Sequence, residues 1–106
     1  MNHSLAVIIL AAGLGKRMKS NRAKVLHEVL GKAMVVYVVE AAIPIVGKAV
    51  VVVVGNQAEE VRKVVANRAD VGFAYQDRQL GTGHAVQCAL PHLPAMCETI
   101  MVLCGD

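Results

Sequence analysis

Short runs of β-branched apolar residues constrain the fold of this chain more than any other feature. Residues 5–10, 49–54 and 99–104 have the length and composition of buried parallel strands. A fourth and weaker run, residues 71–76, contains Gly72 and ends in polar residues. Parallel strands need long crossover connections, which usually contain a helix. We therefore expect a β-α-β-α-β-α-β chain with a mostly parallel sheet.

The segments between these runs have helical character. Residues 56–68 begin with Asn56 as the expected N-cap, and acidic residues in their first turn favour a helix start. Residues 81–90 are predicted to form a helix that ends before Pro91. Residues 32–47 are ambiguous because their Val-rich half favours a strand. We predict a helix there because the first crossover needs one, and we expect Pro44 to end or kink it.

Composition limits the class of protein. The chain has 106 residues, of which 56% are hydrophobic and 18% charged, so we expect residues 1–106 to form a single domain. The net charge of +3 is too mild to indicate nucleic-acid binding. We expect no membrane partner, since the apolar runs are far shorter than the ~20 residues that span a bilayer. No Lys or Arg precedes the first run, which argues against a signal peptide.

The three cysteines are odd in number and show no C-x-x-C spacing, so a disulfide framework or zinc site is not indicated. We expect them to be buried apolar groups in a reducing compartment, and the protein to be cytoplasmic.

Three polar segments follow predicted strands. They are "AAGLGKRM" after the first strand, "QDRQLGTGHA" after the weaker one, and "GD" after the last. Ligands of open parallel sheets bind beyond the carboxyl ends of the strands. The sequence therefore predicts that these three segments meet at one ligand site.

The first of these segments combines glycine with positive charge. Gly13 and Gly15 let the backbone come close to a phosphate. Five basic residues lie within nine positions: Lys16, Arg17, Lys19, Arg22 and Lys24. A dinucleotide fingerprint fails because Met18 stands where the third glycine belongs, and a Walker A loop fails at two positions. On these residues alone, a plain tight turn remains an alternative to a phosphate loop.

The pattern "LAAGLGKRM" followed by "AKVLHEVLGKAM" resembles the signature loop of the sugar-phosphate nucleotidyltransferases. "QDRQLGTGHAVQ" and "VLCGD" resemble the next two motifs of one branch, the N-acetylglucosamine-1-phosphate uridylyltransferases. The resemblance implies a three-layer, Rossmann-like nucleotidyltransferase fold. It also implies attack of a sugar 1-phosphate on the α-phosphorus of UTP, which gives a UDP-sugar and pyrophosphate.

The same resemblance assigns roles to charged residues. Arg17 and Lys24 are the implied catalytic residues, because they would offset charge on the triphosphate as pyrophosphate leaves. Asp106 is the implied ligand of Mg²⁺, a cation that prefers carboxylate and phosphate oxygens.

Nucleotide-binding residues are implied in two groups. Contacts through the loop backbone fall to Leu10, Ala11, Ala12 and Gly13. Contacts at the base and elsewhere on the substrate fall to Lys24, Gln76, Gly81, Thr82 and Gly105. Thr82 is equally compatible with capping the helix that follows. His84 is expected to play a structural part, because the reaction needs no general base.

Two of the chain's departures from the family pattern bear most on the predicted site. Ala23 replaces the usual proline before the signature lysine, which removes a constraint on φ and should leave Lys24 less preorganised. The family's transferase domain continues past Asp106, so we expect a partial, truncated domain that binds nucleotide weakly. An unpaired edge of its last strand would then favour a homo-oligomer. A thymidylyl- or cytidylyltransferase, and a non-catalytic nucleotide-binding module, remain alternatives.

Overall fold

The computed structural model describes residues 5–13, 23–78, 80–95 and 97–106. The strands are β1 (Leu5–Ala11), β2 (Glu28–Val29), β3 (Lys32–Ala33), β4 (Val50–Val54), β5 (Gly72–Tyr75) and β6 (Thr99–Cys104). The helices are α1 (Met34–Val46), α2 (Ala58–Ala66) and α3 (Thr82–Ala89), with 3₁₀ turns at Lys24–Leu26 and Leu90–His92. The four predicted strands and three predicted helices are all present, with ends shifted by a few residues.

A parallel four-stranded sheet forms the centre of the molecule, with strand order β5-β4-β1-β6. The chain proceeds from β1 to β4 to β5 in one direction and then places β6 on the other side of β1. The strand order therefore reverses at β1, and such a reversal opens a crevice at the carboxyl ends of the strands. The predicted α/β, mostly parallel fold is confirmed.

Helices cover both faces of the sheet. On one face, Val7 and Ile9 of β1 pack in a cluster with buried side chains of α1 and α2. On the other face, Ile8 and Val53 pack with Ala85 and other residues of α3. All five residues of β4 are buried. Alternate residues of β1 and β4 thus face opposite layers, which gives the expected three-layer arrangement.

The prediction that the last strand is buried is wrong. Ile100, Met101 and Val102 of β6 expose 37%, 38% and 41% of their surface. The strand is paired with β1 along one edge, and the two core clusters lie mainly over β1 and β4. The composition of an apolar run of this kind predicts burial. A strand is buried, however, only where other elements cover both faces of the sheet.

Two helix boundaries differ from the predicted ones. Helix α1 does not end at Pro44 but continues to Val46, because a proline in the last turn removes a single backbone hydrogen bond. It ends at Gly47, whose φ of 62° breaks the helix. The N-cap of α2 is Gln57 rather than Asn56, and Gln57 adopts a left-handed conformation with a φ of 54°.

A small antiparallel hairpin, formed by β2 and β3, was not predicted. Leu30 and Gly31 turn the chain with positive φ values of 55° and 80°. The hydroxyl of Tyr37 in α1 donates to the Val29 carbonyl at 2.6 Å. Lys32 Nζ donates to Glu40 Oε1 at 2.6 Å, and this contact lowers the pKa of Glu40 below its ordinary value. These contacts hold the hairpin against α1.

Two further properties concern the surface. The cysteines are not all buried as expected: Cys88 and Cys97 are half-buried and Cys104 is exposed, since it lies on the uncovered β6. Within the ranges of the chain that the structure describes, every helix is too short to cross a membrane.

A substitution at Gly105 tests how closely the end of β6 packs against β1. A Cβ there would lie 3.0 Å from the Leu10 carbonyl oxygen and 3.3 Å from a methyl group of Val25. We expect Gly105→Ala to lower the free energy of unfolding by about 1–3 kcal/mol, measured by urea denaturation.

Gly83 of α3 is the matched control, because a Cβ there meets no atom within 4 Å. We expect Gly83→Ala to leave stability unchanged or raise it by up to about 1 kcal/mol. Equal effects of the two substitutions would show that β6 does not end against β1 as described.

Candidate functional site

A cavity of about 270 Å³ opens at the carboxyl edge of the sheet. Its walls come from the ends of β1, β4 and β6, from the 3₁₀ turn at Lys24–Leu26, and from the start of α3. Its described lining is Leu10, Ala12, Gly13, Lys24, Val25, Val53, Gln76, Gly81, Thr82, Ala85, Cys104 and Asp106. Described residues of all three polar segments that follow predicted strands therefore meet at one place, as the sequence predicts.

The glycine segment enters this cavity directly from β1. Leu10 and Ala11 still belong to the strand, and the Leu10 carbonyl accepts a hydrogen bond from the Gly105 N–H at 2.8 Å. Ala12 and Gly13 lie beyond the strand, and the Ala12 carbonyl accepts from the N–H of Asn56 at 3.3 Å. Ala12 and Gly13 line the cavity, whereas Ala11 is fully buried beside it.

Two opposite charges from distant parts of the chain meet at the cavity. Lys24 Nζ lies 2.8 Å from Asp106 Oδ2, and both side chains remain partly exposed. Lys24 begins the 3₁₀ turn that follows the basic segment, and Asp106 lies two residues beyond the end of β6. An exposed pair of this kind contributes little to stability, about 0–1 kcal/mol. A phosphate that enters the cavity can therefore replace Asp106 as the partner of Lys24. A cation can likewise replace Lys24 as the partner of Asp106.

The residue before Lys24 is held in place despite the missing proline. Ala23 has a φ of −56°, which lies in the range that proline itself adopts. Its N–H donates to Gln57 Oε1 at 2.7 Å, and the residue is buried. A proline could not make this hydrogen bond. The side chain of Gln57 thus takes over part of the constraint that the proline would impose ahead of Lys24.

On the base-binding side predicted by the resemblance, Gln76 is buried, with 4% of its surface exposed. Its Nε2 lies 3.2 Å from the Gly81 carbonyl oxygen and 3.0 Å from Nδ1 of His84. Gly81 precedes α3 with a φ of 99°, a conformation that favours glycine. Thr82 is the first residue of α3, so the N-cap position belongs to Gly81 rather than to Thr82.

The predicted site residues divide into three groups. Those that line the cavity are Leu10, Ala12, Gly13, Lys24, Gln76, Gly81, Thr82 and Asp106. Ala11 and Gly105 pack behind it, and Gly105 donates to the backbone of Leu10. Arg17 lies outside the described residues, as do Gly15 and Lys16.

Sequence reasoning missed Gln57, because a glutamine one residue before a helix carries no pattern that indicates a partner 34 positions away. It noticed His84 but found no contact for it. The contact with Gln76 depends on α3 starting immediately after Gly81, and no spacing in the sequence fixes that start.

The acidic lining of the cavity fits one hard cation bound together with phosphates. Asp106 is the acidic residue among the described lining residues. The described parts of the chain hold no group of three or more His, Cys, Asp or Glu residues suited to a metal. Mg²⁺ typically takes one or two protein carboxylates and completes its shell with water and substrate phosphates. The donor set is therefore compatible with the Mg²⁺ that the family resemblance implies.

Comparison with known proteins gives the family. The MobA-like NTP transferase domain matches residues 7–106, nearly the whole chain. The chain belongs to this family. Its relatives include the protein named Bifunctional protein GlmU from Pelobacter propionicus, at 50% identity over 103 residues. The GlmU of Thermoanaerobacter pseudethanolicus is 53% identical over 102 residues.

These relatives are much longer. The alignments cover 97% and 96% of this chain but 22% of each GlmU protein. Among solved structures, HddC from Yersinia pseudotuberculosis in complex with GMP-PN superposes with a TM-score of 0.80 at 25% identity. That match covers 95% of this chain and 47% of HddC.

The Ala23–Gln57 contact can be tested with a double-mutant cycle. We expect Gln57→Ala to lower the free energy of unfolding by about 1–3 kcal/mol, because the buried Ala23 N–H loses its acceptor. In an Ala23→Pro background that N–H is absent, so the cost of Gln57→Ala should fall by about 1 kcal/mol or more. Urea denaturation of the four chains measures both costs. An identical cost in the two backgrounds would exclude the hydrogen bond.

Proposed function

We propose that this chain forms the nucleotide-binding part of an enzyme that transfers a uridylyl group from UTP to N-acetylglucosamine 1-phosphate. The products are UDP-N-acetylglucosamine and pyrophosphate. One observation carries the proposal: Lys24 and Asp106 lie in the same cavity as Gln76, Gly81 and Thr82. A single cavity thus combines groups suited to a triphosphate and its cation with groups suited to a base. The motif resemblance supports the choice of uridine and of the sugar.

The reaction needs alignment and charge compensation rather than a side-chain nucleophile. An oxygen of the sugar phosphate forms a bond to the α-phosphorus of UTP, and the bond from that phosphorus to the β-phosphate oxygen breaks. Lys24 would bind the phosphate oxygens and offset the negative charge that moves to pyrophosphate. By the family resemblance, Arg17 would do the same.

Asp106 is the residue that would hold Mg²⁺. When bound, this cation neutralises charge on the phosphate oxygens. Because Lys24 and Asp106 are paired at 2.8 Å, the incoming magnesium nucleotide would exchange one ion pair for two. Lys24 would turn to the phosphates, and Asp106 would turn to the cation. This exchange explains how two charged groups can occupy the cavity without preventing anion binding.

The base would lie beside Gln76, Gly81 and Thr82. Uracil presents one N–H donor flanked by two carbonyl acceptors, and a carboxamide together with a backbone N–H can match this pattern. Cytosine would mismatch at two of these positions. The solved structure of HddC, which is 25% identical to this chain, contains GMP-PN. This supports a nucleotide as the class of ligand.

Binding of UTP to the purified chain tests the proposal directly. We expect calorimetric titration to show UTP binding that is stronger than CTP binding and that is enhanced by Mg²⁺. Lys24→Met should weaken UTP binding by about tenfold or more, because a charge-assisted contact is lost. Lys48→Met is the matched control, since Lys48 forms a highly exposed pair with Asp70 and does not line the cavity. Equal losses in both variants, or no UTP binding, would contradict the proposal.

Asp106→Asn tests separately the two contacts of the proposed exchange, that of Lys24 with the phosphates and that of Asp106 with Mg²⁺. Without Mg²⁺, we expect this variant to bind UTP more tightly than the wild type, since a negative charge is removed and Lys24 is released. With Mg²⁺, the variant should lose most of the enhancement that the wild type shows. Asp70→Asn should change neither value. Loss of UTP binding in the Mg²⁺-free titration of Asp106→Asn would show that Lys24 and Asp106 do not exchange partners.

A further inference from the structure

The carboxamide of Gln76 uses both of its N–H groups inside the protein. One points to the Gly81 carbonyl oxygen at 3.2 Å and the other to Nδ1 of His84 at 3.0 Å. A backbone carbonyl can only accept a hydrogen bond, so the atom beside it must be the amide nitrogen. The Gly81 carbonyl therefore favours the orientation in which Nε2 of Gln76 lies beside it, and the contact with His84 adds to this preference.

The contact also determines the tautomer of His84. Nδ1 accepts from Gln76, so it carries no proton, and in the neutral ring the proton is on Nε2. Nε2 lies 3.8 Å from Sγ of Cys88, one helical turn along α3, and sulfur is a weak acceptor. His84 lines a separate cavity next to Leu80 and Cys88 rather than the one at the strand ends. It therefore supports Gln76 from behind and does not contact the proposed nucleotide.

One polar atom of the Gln76 side chain is left for a ligand. Within residues 5–13, 23–78, 80–95 and 97–106, no donor occupies its Oε1, and Gln76 lines the nucleotide cavity. Gln76 can therefore offer an acceptor to a ligand in this cavity. Uracil has a proton on N3 and can donate to such an acceptor, whereas cytosine has a lone pair on N3 and would be repelled.

We infer that His84 is a positioning residue that sets the base specificity of the site. It holds the second N–H of Gln76, which keeps Oε1 directed at the base and favours uracil over cytosine. The inference rests on the proposed binding of the base beside Gln76. Without an acceptor at residue 84, the Gly81 carbonyl alone would oppose a flip of the carboxamide, and a flipped carboxamide would present its N–H groups to N3 of cytosine.

Two substitutions separate this role from simple packing. His84→Ala removes the acceptor. His84→Asn keeps one, because the Asn carbonyl oxygen reaches about the same place as Nδ1 while the rest of the ring is lost. We expect His84→Ala to lower the ratio of UTP to CTP affinity by about five- to tenfold, the effect of one hydrogen bond. His84→Asn should keep most of the wild-type ratio. A purely structural role would weaken both nucleotides equally in both variants.

The experiment combines calorimetric titrations of UTP and CTP with ¹⁵N NMR of the histidine rings in the free chain at about pH 8. We expect the His84 ring, assigned by its absence in His84→Ala, to carry its proton on Nε2. A proton on Nδ1 would overturn the inference whether or not nucleotide binds. An unchanged ratio in His84→Ala, with a wild type that prefers UTP, would also overturn it and leave the proposed function intact.

Failure of the proposed function has a different signature. If the wild type binds neither nucleotide or binds both equally, the uridylyl site is excluded, and with it the specificity assigned to His84. If the wild type prefers UTP, only the behaviour of the two variants and the tautomer decide between the positioning role and a structural one.

Discussion

The reversal of strand order at β1 is the constraint on which the rest of this site depends. Because β6 pairs with β1 on the side opposite β4, the segments that follow β1 and β6 emerge next to each other. At the end of this strand pairing the Gly105 N–H donates to the Leu10 carbonyl, and a Cβ at residue 105 would lie only 3.0 Å from that carbonyl oxygen. The pairing brings the glycine segment and Asp106 to a single cavity.

Hydrogen bonds also join the segments that line the cavity to helices on both faces of the sheet. Gln57 at the start of α2 holds Ala23 and so determines where the turn of Lys24 begins. On the other face, His84 and Gly81 at the start of α3 hold Gln76. The cavity therefore has a charged part supported by one layer and a proposed base-binding part supported by the other. The proposed chemistry at the strand ends would thus depend on Gln57 and His84, which lie outside the described lining of the cavity.

Much of this could be predicted from the sequence because the strands are short apolar runs of distinct composition and each is followed by a polar motif. The parallel sheet, the three helices and the convergence of the motifs all follow from that pattern. The exposure of β6 could not be predicted, since burial depends on which layers cover an apolar strand. Contacts of Gln57 and His84 were missed because they join residues whose proximity is set by helix starts, and capping patterns locate those starts only to within a residue or two.

The hairpin before α1 was missed for a similar reason. Its turn places Leu30, a residue that rarely adopts positive φ, in the left-handed region beside Gly31. The hydrogen bonds from Tyr37 to Val29 and from Lys32 to Glu40 join the hairpin to α1. They stabilise a turn that local propensity does not favour. Tertiary contacts thus override the local preference of the backbone at this point.

The most direct test of the account is to map where nucleotide binds on a ¹⁵N-labelled chain by NMR titration with UTP and Mg²⁺. The account predicts saturable shifts at the backbone amides of Ala12, Gly13, Lys24, Gly81 and Thr82, which lie around one cavity at the carboxyl edge of the sheet. Shifts confined to the second cavity, near Tyr75, Arg78 and Leu80, would contradict it. So would a spectrum that UTP leaves unchanged.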